Sequence, residues 1–557
     1  MKKSGYLLAC ILIVTSLLVA CEKEDVSSIS GDNGGGNEVT PTPTVSIEDE
    51  ELKSDEDKEV KEDEKAKDDE LASKKDLENE TNSEREEEII KEFLSKIPLK
   101  ATKPVEYRFF NTSVHDPSII QVDDTYYIFG SHLAVAKTTD LMNWTAIANG
   151  VTKGNPVIPD AMTEMEEAFT WAKTNTFWAP DVIQLEDGRF YMYYCNCEGS
   201  SPLAALGVAV ADKVEGPYKD LGIILKSGYP RNVPDEDGNV YDANVDPNAI
   251  DPCLFYDKDN RLWMIYGSYS GGIFILEMDP KTGFPLEEGY GKKLLGKNHL
   301  RIEGAFIQYS EETDYYYMFL SFGGLAADGG YNIRIARSKN PDGPYYDSAG
   351  NDMIECQGPA GTFFNDRAAE KYGVKLMGNF HWNSIEGEEE GARVGYISPG
   401  HNSTLYQEET GKYFLIFHTR FEGKGEMHQV RVHQMFLNED DWFVVAPYRY
   451  VGETIGTYTK EDVVGVYKMI NHGREITHEV KKSTDIFLME DNTIIGDVQG
   501  RWELKGDNTC ILTIENVTYK GVFLKQWDEF GLKNVMTFSV LSEEGVALWG
   551  SGYEAKE

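Results

Sequence analysis

The amino-acid sequence predicts an all-β protein: a five-bladed β-propeller followed by a small antiparallel barrel or sandwich. One theme occurs five times, namely a polar or charged residue, a short apolar run, a turn, and a strand rich in Tyr and Phe. The copies begin at His115-Asp116-Pro117-Ser118, Trp178-Ala179-Pro180-Asp181, Ile250-Asp251-Pro252-Cys253, Ile302-Glu303-Gly304-Ala305 and Gly400-His401-Asn402-Ser403. Antiparallel hairpins repeated in this way stack radially around a channel. Helical periodicity is scarce between the copies, and after residue 450 the texture changes to short, closely spaced strand candidates.

From the N-terminus, Lys2 and Lys3 precede an apolar run over 6–20 that ends Leu18-Val19-Ala20-Cys21. The run is short for a membrane span and reads as an export signal over 1–21. Its small-residue–Cys junction is similar to a bacterial lipobox, which implies an extracytoplasmic chain held to a membrane by lipid on Cys21. Residues 22–98 are expected to be a flexible linker, Gly-, Ser-, Thr- and Pro-rich to 44 and acidic beyond. Between 45 and 91 there are 21 acidic and 9 basic residues and no aromatic, too little apolar surface to offset chain entropy. The propeller is expected over 99–450. Its second strands fall at 125–129, 190–194, 262–266, 315–320 and 413–417, after turns such as Glu186-Asp187-Gly188 and Glu408-Glu409-Thr410-Gly411. Gly216-Pro217-Tyr218 and Gly343-Pro344-Tyr345 recur after further strands at 207–211 and 332–336. The longer segments 149–175 and 347–398 read as irregular insertions near the channel mouth. Strand candidates at 463–470, 484–489, 493–499, 500–505, 509–514, 517–525, 536–541 and 546–550 build the last domain, 451–557.

The 557 residues are too many for one ordinary core. A net charge of −41 makes nucleic acid a poor partner, because its phosphates would be repelled. Outside the signal stand Cys195, Cys197, Cys253, Cys356 and Cys510. That odd number gives no disulfide framework, although export permits one. Cys195-Asn196-Cys197 lacks the second pair a zinc site would use, so these are expected to be small buried residues.

Equivalent positions in a radial array face one axis, so Asp116, Asp181, Asp251, Glu303 and His401 are expected to converge. Hydrolysis of a glycosidic bond uses two carboxyl groups, one protonated to release the leaving oxygen and one ionised to activate water. A third carboxylate nearby would raise the acid's pKa by like-charge repulsion. An Asp beside Pro is also a common turn residue. Asp181, after Pro180, fits a structural role better, whereas Glu303 at the head of an apolar strand is hard to explain without function. His401 can serve as a metal ligand or as a hydrogen-bonding core residue. Aromatic residues beside strand heads (Phe110, Trp178, Tyr269) and in the second insertion (His381, Trp382) can offer faces to sugar rings or pack in a core. Tyr191, Tyr193 and Tyr316 fit packing between blades.

Taken in order, Val114-His115-Asp116-Pro117-Ser118, Phe177-Trp178-Ala179-Pro180-Asp181, Ala249-Ile250-Asp251-Pro252-Cys253, Arg301-Ile302-Glu303-Gly304-Ala305-Phe306 and Ser398-Pro399-Gly400-His401-Asn402 resemble glycoside hydrolase family 43. The branch they resemble is that of the endo-α-1,5-L-arabinanases, some of which carry an extra C-terminal barrel. The resemblance implies a secreted, inverting glycosidase acting on arabinan, a pectin side chain. Asp116 matches the general base, Glu303 the general acid and Asp251 the carboxylate that tunes and orients the acid. His401 matches a ligand of calcium otherwise bound by water. Phe177, Trp178, Asn248, Ser268, Tyr269 and Arg420 fall where the family contacts sugar or supports the carboxylates. Inversion implies base and acid about 6.5–9.5 Å apart, leaving room for water. An exo-acting α-L-arabinofuranosidase or β-xylosidase, or a noncatalytic glycan-binding lipoprotein, would use the same scaffold. A monomer with no partner beyond the polysaccharide and the lipid anchor's membrane is expected.

Overall fold

The computed structural model describes residues 106–553, apart from short stretches around 200, 229–237 and 386–392, and isolated positions of a helix between 85 and 92. The expected signal, Cys21 and nearly all of the acidic linker lie outside the described residues.

Five four-stranded antiparallel sheets follow one another in the sequence, each built from consecutive strands. Their innermost strands are Ser118–Val122, Asp181–Gln184, Cys253–Tyr256, Ile302–Ser310 and Ile397–Gln407. Each inner strand touches the next and the fifth touches the first, which closes a five-bladed ring. The expected second strands are present as Thr125–Gly130, Phe190–Cys197, Leu262–Tyr266, Tyr315–Phe322 and Lys412–Arg420. Neighbouring blades cover both faces of a sheet, so Phe190–Cys197 and Ala204–Ala211 are buried along their whole length. That is why these strands read as continuous apolar runs rather than alternating ones. Tyr191, Tyr193 and Tyr316 lie in the cores between blades, each large side chain contributing about 1.5–3 kcal/mol on leaving water.

The Gly-Pro-Tyr repeats are structural equivalents. Both glycines have positive φ, and the tyrosine hydroxyls donate to Val214 O at 2.9 Å and Pro341 O at 2.8 Å. Ring closure uses no shared strand. Blades one and five meet through a core that includes Ile119, Ile128, Phe414 and Ile416. Ser403 Oγ donates to Pro117 O at 2.7 Å and accepts from Ile119 N at 3.1 Å, and Val430 N–H donates to Thr112 O at 3.0 Å.

The insertions depart from expectation. Residues 149–175 include two short helices, Ala161–Glu164 and Glu166–Ala172, which pack in the core of blade two. No residue of this insertion borders the central cleft. Within 347–398, the part around 363–364 does border it. Val374–Met377 completes blade four as its outer strand, and Phe380–His381 pairs in parallel with Lys481–Lys482 of the last domain. Trp382 is fully buried against Tyr448 and is no surface platform.

The last domain is a closed eight-stranded antiparallel barrel. Gly465–Asn471 pairs with both Thr484–Leu488 and Ala547–Gly552, so the sheet has no free edge. Barrel and propeller share a core containing Phe380, Trp382, Tyr448, Ile470 and Trp549. Arg393, from the propeller insertion, crosses this interface to Asp528 at 2.8 Å and also binds Glu388 at 2.7 Å. Cys195, Cys197, Cys253, Cys356 and Cys510 are buried and unpaired. No helix among the described residues is long and apolar enough to cross a membrane.

Candidate active site

At the head of the inner strands the backbone departs from regular pairing. Asp116 and Asp251 both have φ 57° and His401 has φ 42°, all left-handed, while Glu303 is followed by Gly304 at φ 60°. The ladder register also shifts between Glu303 and Phe306 and between Gly400 and Ser403. Such bulges re-aim side chains, and strained residues of this kind cluster at functional sites. Two glycines make the approach possible. A Cβ on Gly304 would lie 3.0 Å from the His401 ring, and one on Gly400 would overlap the Tyr331 ring at 2.1 Å.

Asp116, Asp251, Glu303 and His401 border one cleft of about 920 Å³ of empty space, part of it open to solvent. Trp178, Asn248, Ser268 and Tyr269 border it as well. Asp181 is absent from the cleft and has no positive φ. Its Oδ2 accepts from Leu254 N at 2.6 Å and its Oδ1 from Ser118 Oγ, so it ties blade two to blades three and one. Phe177 is core, and Phe110, 64% exposed, stands apart from the cleft.

Asp116 is held on all sides. Ser131 Oγ donates to its Oδ2 at 2.5 Å, and His115 Nδ1 lies 2.7 Å from the same atom. His401 Nδ1 is 3.1 Å from Oδ1. Arg420 Nη2 approaches His115 Nε2 at 3.2 Å. Arginine only donates, so the His115 ring proton belongs on Nδ1, where it is given to Asp116. Arg420, itself fixed by Glu426 at 2.6 Å, thus stands behind the carboxylate rather than in the cleft wall. Burial would raise the Asp116 pKa, but the adjacent His115 and His401 outweigh it and hold the group well below the usual carboxylate range.

Glu303 accepts from Ser268 Oγ at 2.7 Å and from Tyr331 OH at 2.9 Å. Burial is the main force raising its pKa, and Asp116 adds repulsion against the pull of His401 and the two hydroxyls. Asp251 is raised by burial and by Glu303 and Asp116, again opposed by His401. The site therefore separates an ionised carboxylate from a pair that retains a proton. His401, despite burial, is pushed up to about 9 by Asp116, Asp251 and Glu303.

A second, smaller space of about 270 Å³ is bordered by Asp116, Asp251, His401 and Asn402. Both polar atoms of the Asn402 amide are buried without a partner. The carboxylates and orphaned amide atoms are donors of the kind a cation takes, and the space open to a water-sized sphere, about 20 Å³, has room for about one water. His115, Asp116 and His418 also bring donor atoms within 4.8 Å of one another. Those atoms are already engaged, since Asp116 N–H donates to His418 Nδ1 at 3.2 Å and His115 serves Asp116.

Ser131, His115, Tyr331, His299, Leu325, Phe363 and Phe364 were not singled out by sequence as site residues. Ser131 and Tyr331 lie off the repeated strand heads, and His115 stands at one without a counterpart at the same place in the other copies. A paired Phe in an aperiodic insertion carries no positional signal.

The profile of glycosyl hydrolases family 43 matches residues 108–370, and that of a C-terminal lipocalin-like domain matches 447–550. The chain is 55% identical over 464 residues to the extracellular endo-alpha-(1->5)-L-arabinanase 2 of Bacillus subtilis, covering 83% of this chain and 97% of that one. It is 53% identical over 447 residues to the extracellular endo-alpha-(1->5)-L-arabinanase of Thermotoga petrophila, covering 78% and 93%. The crystal structure of a family 43 protein from Bacillus licheniformis superposes with a TM-score of 0.77 at 58% identity, covering 81% of this chain and 99% of that one.

Proposed function

We propose, from the premise that this chain belongs to glycosyl hydrolases family 43 and is a glycosidase, that it cleaves α-1,5-linked L-arabinan internally, with inversion at the anomeric carbon. The observation that carries the chemistry is the opposite displacement of two carboxyl groups in one cleft: Asp116 below the usual range and Glu303 above it. Glu303 gives its proton to the departing sugar oxygen. Asp116 takes a proton from water, which attacks the anomeric carbon from the opposite face. Asp251 keeps the acid protonated by repulsion and shares its proton. Positive charge develops on the sugar ring, and the buried carboxylates favour it. Trp178, Asn248, Ser268 and Tyr269 border the space a sugar would occupy.

Calcium would be held by a neutral His401, whose ring proton must leave first, and would supply fixed positive charge beside the carboxylates in place of the imidazolium. Endo action is supported by two relatives that bear that name and are 55% and 53% identical to this chain over the aligned residues. Their names also include the word extracellular, in keeping with an export signal ending at Cys21 and a lipid-anchored, extracytoplasmic monomer. Chromatography of products from debranched arabinan over time tests the reading. Oligosaccharides appear first if cleavage is internal, whereas arabinose alone from the outset means terminal attack. The same digest run after calcium chelation should slow and recover on adding calcium; an unchanged rate would remove calcium from the mechanism.

A further inference from the structure

We infer that Phe363 and Phe364 form a sugar-stacking platform at the rim of the cleft, taking a furanose of the polysaccharide on the leaving-group side of the bond that is cut. The inference rests on the reading of the chain as an arabinan hydrolase. Phe363 is 63% exposed and Phe364 43%, and both border the cleft that holds Glu303. Their rings lie 4.2 Å apart, and the series continues to His299 at 4.4 Å from Phe363 and to Tyr269 at 5.5 Å from Phe364. Four rings thus form one series along the cleft, with the two phenylalanines its most exposed members.

The loop that carries the pair is built rather than loose. Phe364 has φ 55°, a conformation that bulky residues avoid and keep only when their surroundings impose it. Arg301 imposes it through a two-point grip on Asp366, with Nε to Oδ1 at 3.0 Å and a second contact from Nη2 to Oδ2. The same guanidinium lies 5.6 Å from the Phe364 ring. Asn298 Nδ2 donates to Gly358 O at 2.6 Å, fixing the other end of the loop. A fold that clamps two large apolar rings in water presents them to a ligand. Sugars carry C–H faces that lie on aromatic rings. Arg301 stands two residues before Glu303, so the platform belongs to the acid's blade and Asp116 to another. The acid serves the leaving oxygen and the base works from the opposite face, which places the departing chain along the phenylalanines.

Phe363→Ala and Phe363→Tyr test this, since the side chain is mostly in solvent and its loss leaves the core intact. The ratio of kcat/KM for debranched arabinan to that for arabinotriose should fall about tenfold in Phe363→Ala, through KM for the polymer. Phe363→Tyr should restore it. An unchanged ratio in Phe363→Ala overturns the platform, as does a drop carried by kcat on both substrates. If sedimentation shows Phe363→Ala dissociating a dimer while the ratio holds, the rings cover a second copy and the inference falls. A wild-type chain inert on arabinan defeats the parent reading and this inference together.

Discussion

Asp116 and Glu303 differ by one methylene yet titrate in opposite directions, because their neighbours differ. Asp116 has two imidazoles on its oxygens, whereas Glu303 has two neutral hydroxyls and faces other carboxylates. Activity should therefore need Asp116 ionised and Glu303 protonated. It is lost as pH falls through the low value of Asp116 and as pH rises through the raised value of the Asp251–Glu303 pair. Asp251→Asn removes one of the repelling charges, so the alkaline limb of kcat/KM should move to lower pH while the acid limb stays; an alkaline limb that holds or moves up would exclude Asp251 as the group that keeps the acid protonated. At this scale the sequence was informative where chemistry coincides with register. Asp116, Asp251, Glu303 and His401 occupy equivalent strand heads, so one alignment of the repeats locates all four. Tyr331 occupies no repeated position, and only folding brings it to Glu303. Trp382 misleads for the converse reason. A lone aromatic in an insertion carries no sign of which side it faces, and here it packs against the barrel.

The inner strand is the element that makes the site. Four of the five supply one residue through a left-handed kink or bulge at the head, whereas the second gives Asp181 to the joints between blades. Tyr- and Phe-rich hairpins repeat strongly enough for all five second strands to be legible, and turn residues divide the barrel into its eight strands. The short helices at 161–172 escape because four- and seven-residue helices span too few turns for a 3.6-residue period to show. The barrel is joined to the propeller by buried charge as well as by apolar packing. Removing Arg393 leaves the fully buried Asp528 carboxylate without its partner. Arg393→Met should therefore lower unfolding free energy by about 3–5 kcal/mol, read as an earlier denaturation midpoint; a loss below about 1 kcal/mol would show that the pair adds little to the interface.

The whole molecule combines a strongly acidic chain with a neutral-sugar cleft, and about a third of its net charge lies in the segment before residue 99. The expected task of that segment is reach from a lipid-bearing Cys21. Cys21→Ser, expressed in a bacterial host that processes lipoproteins, should leave the membrane fraction while turnover of soluble arabinan is retained. A serine variant that stays with the membrane would exclude the anchor. A further property follows from the way the ring is shut. Blades one and five are not joined through the chain as the other neighbouring blades are, and two of the groups that border the cleft meet across their joint, Asp116 on one side and His401 on the other. The one joint between neighbouring blades that no connecting segment spans is thus also where part of the chemistry is assembled. Mild heating that springs this joint would silence the enzyme while most of its sheets remained intact.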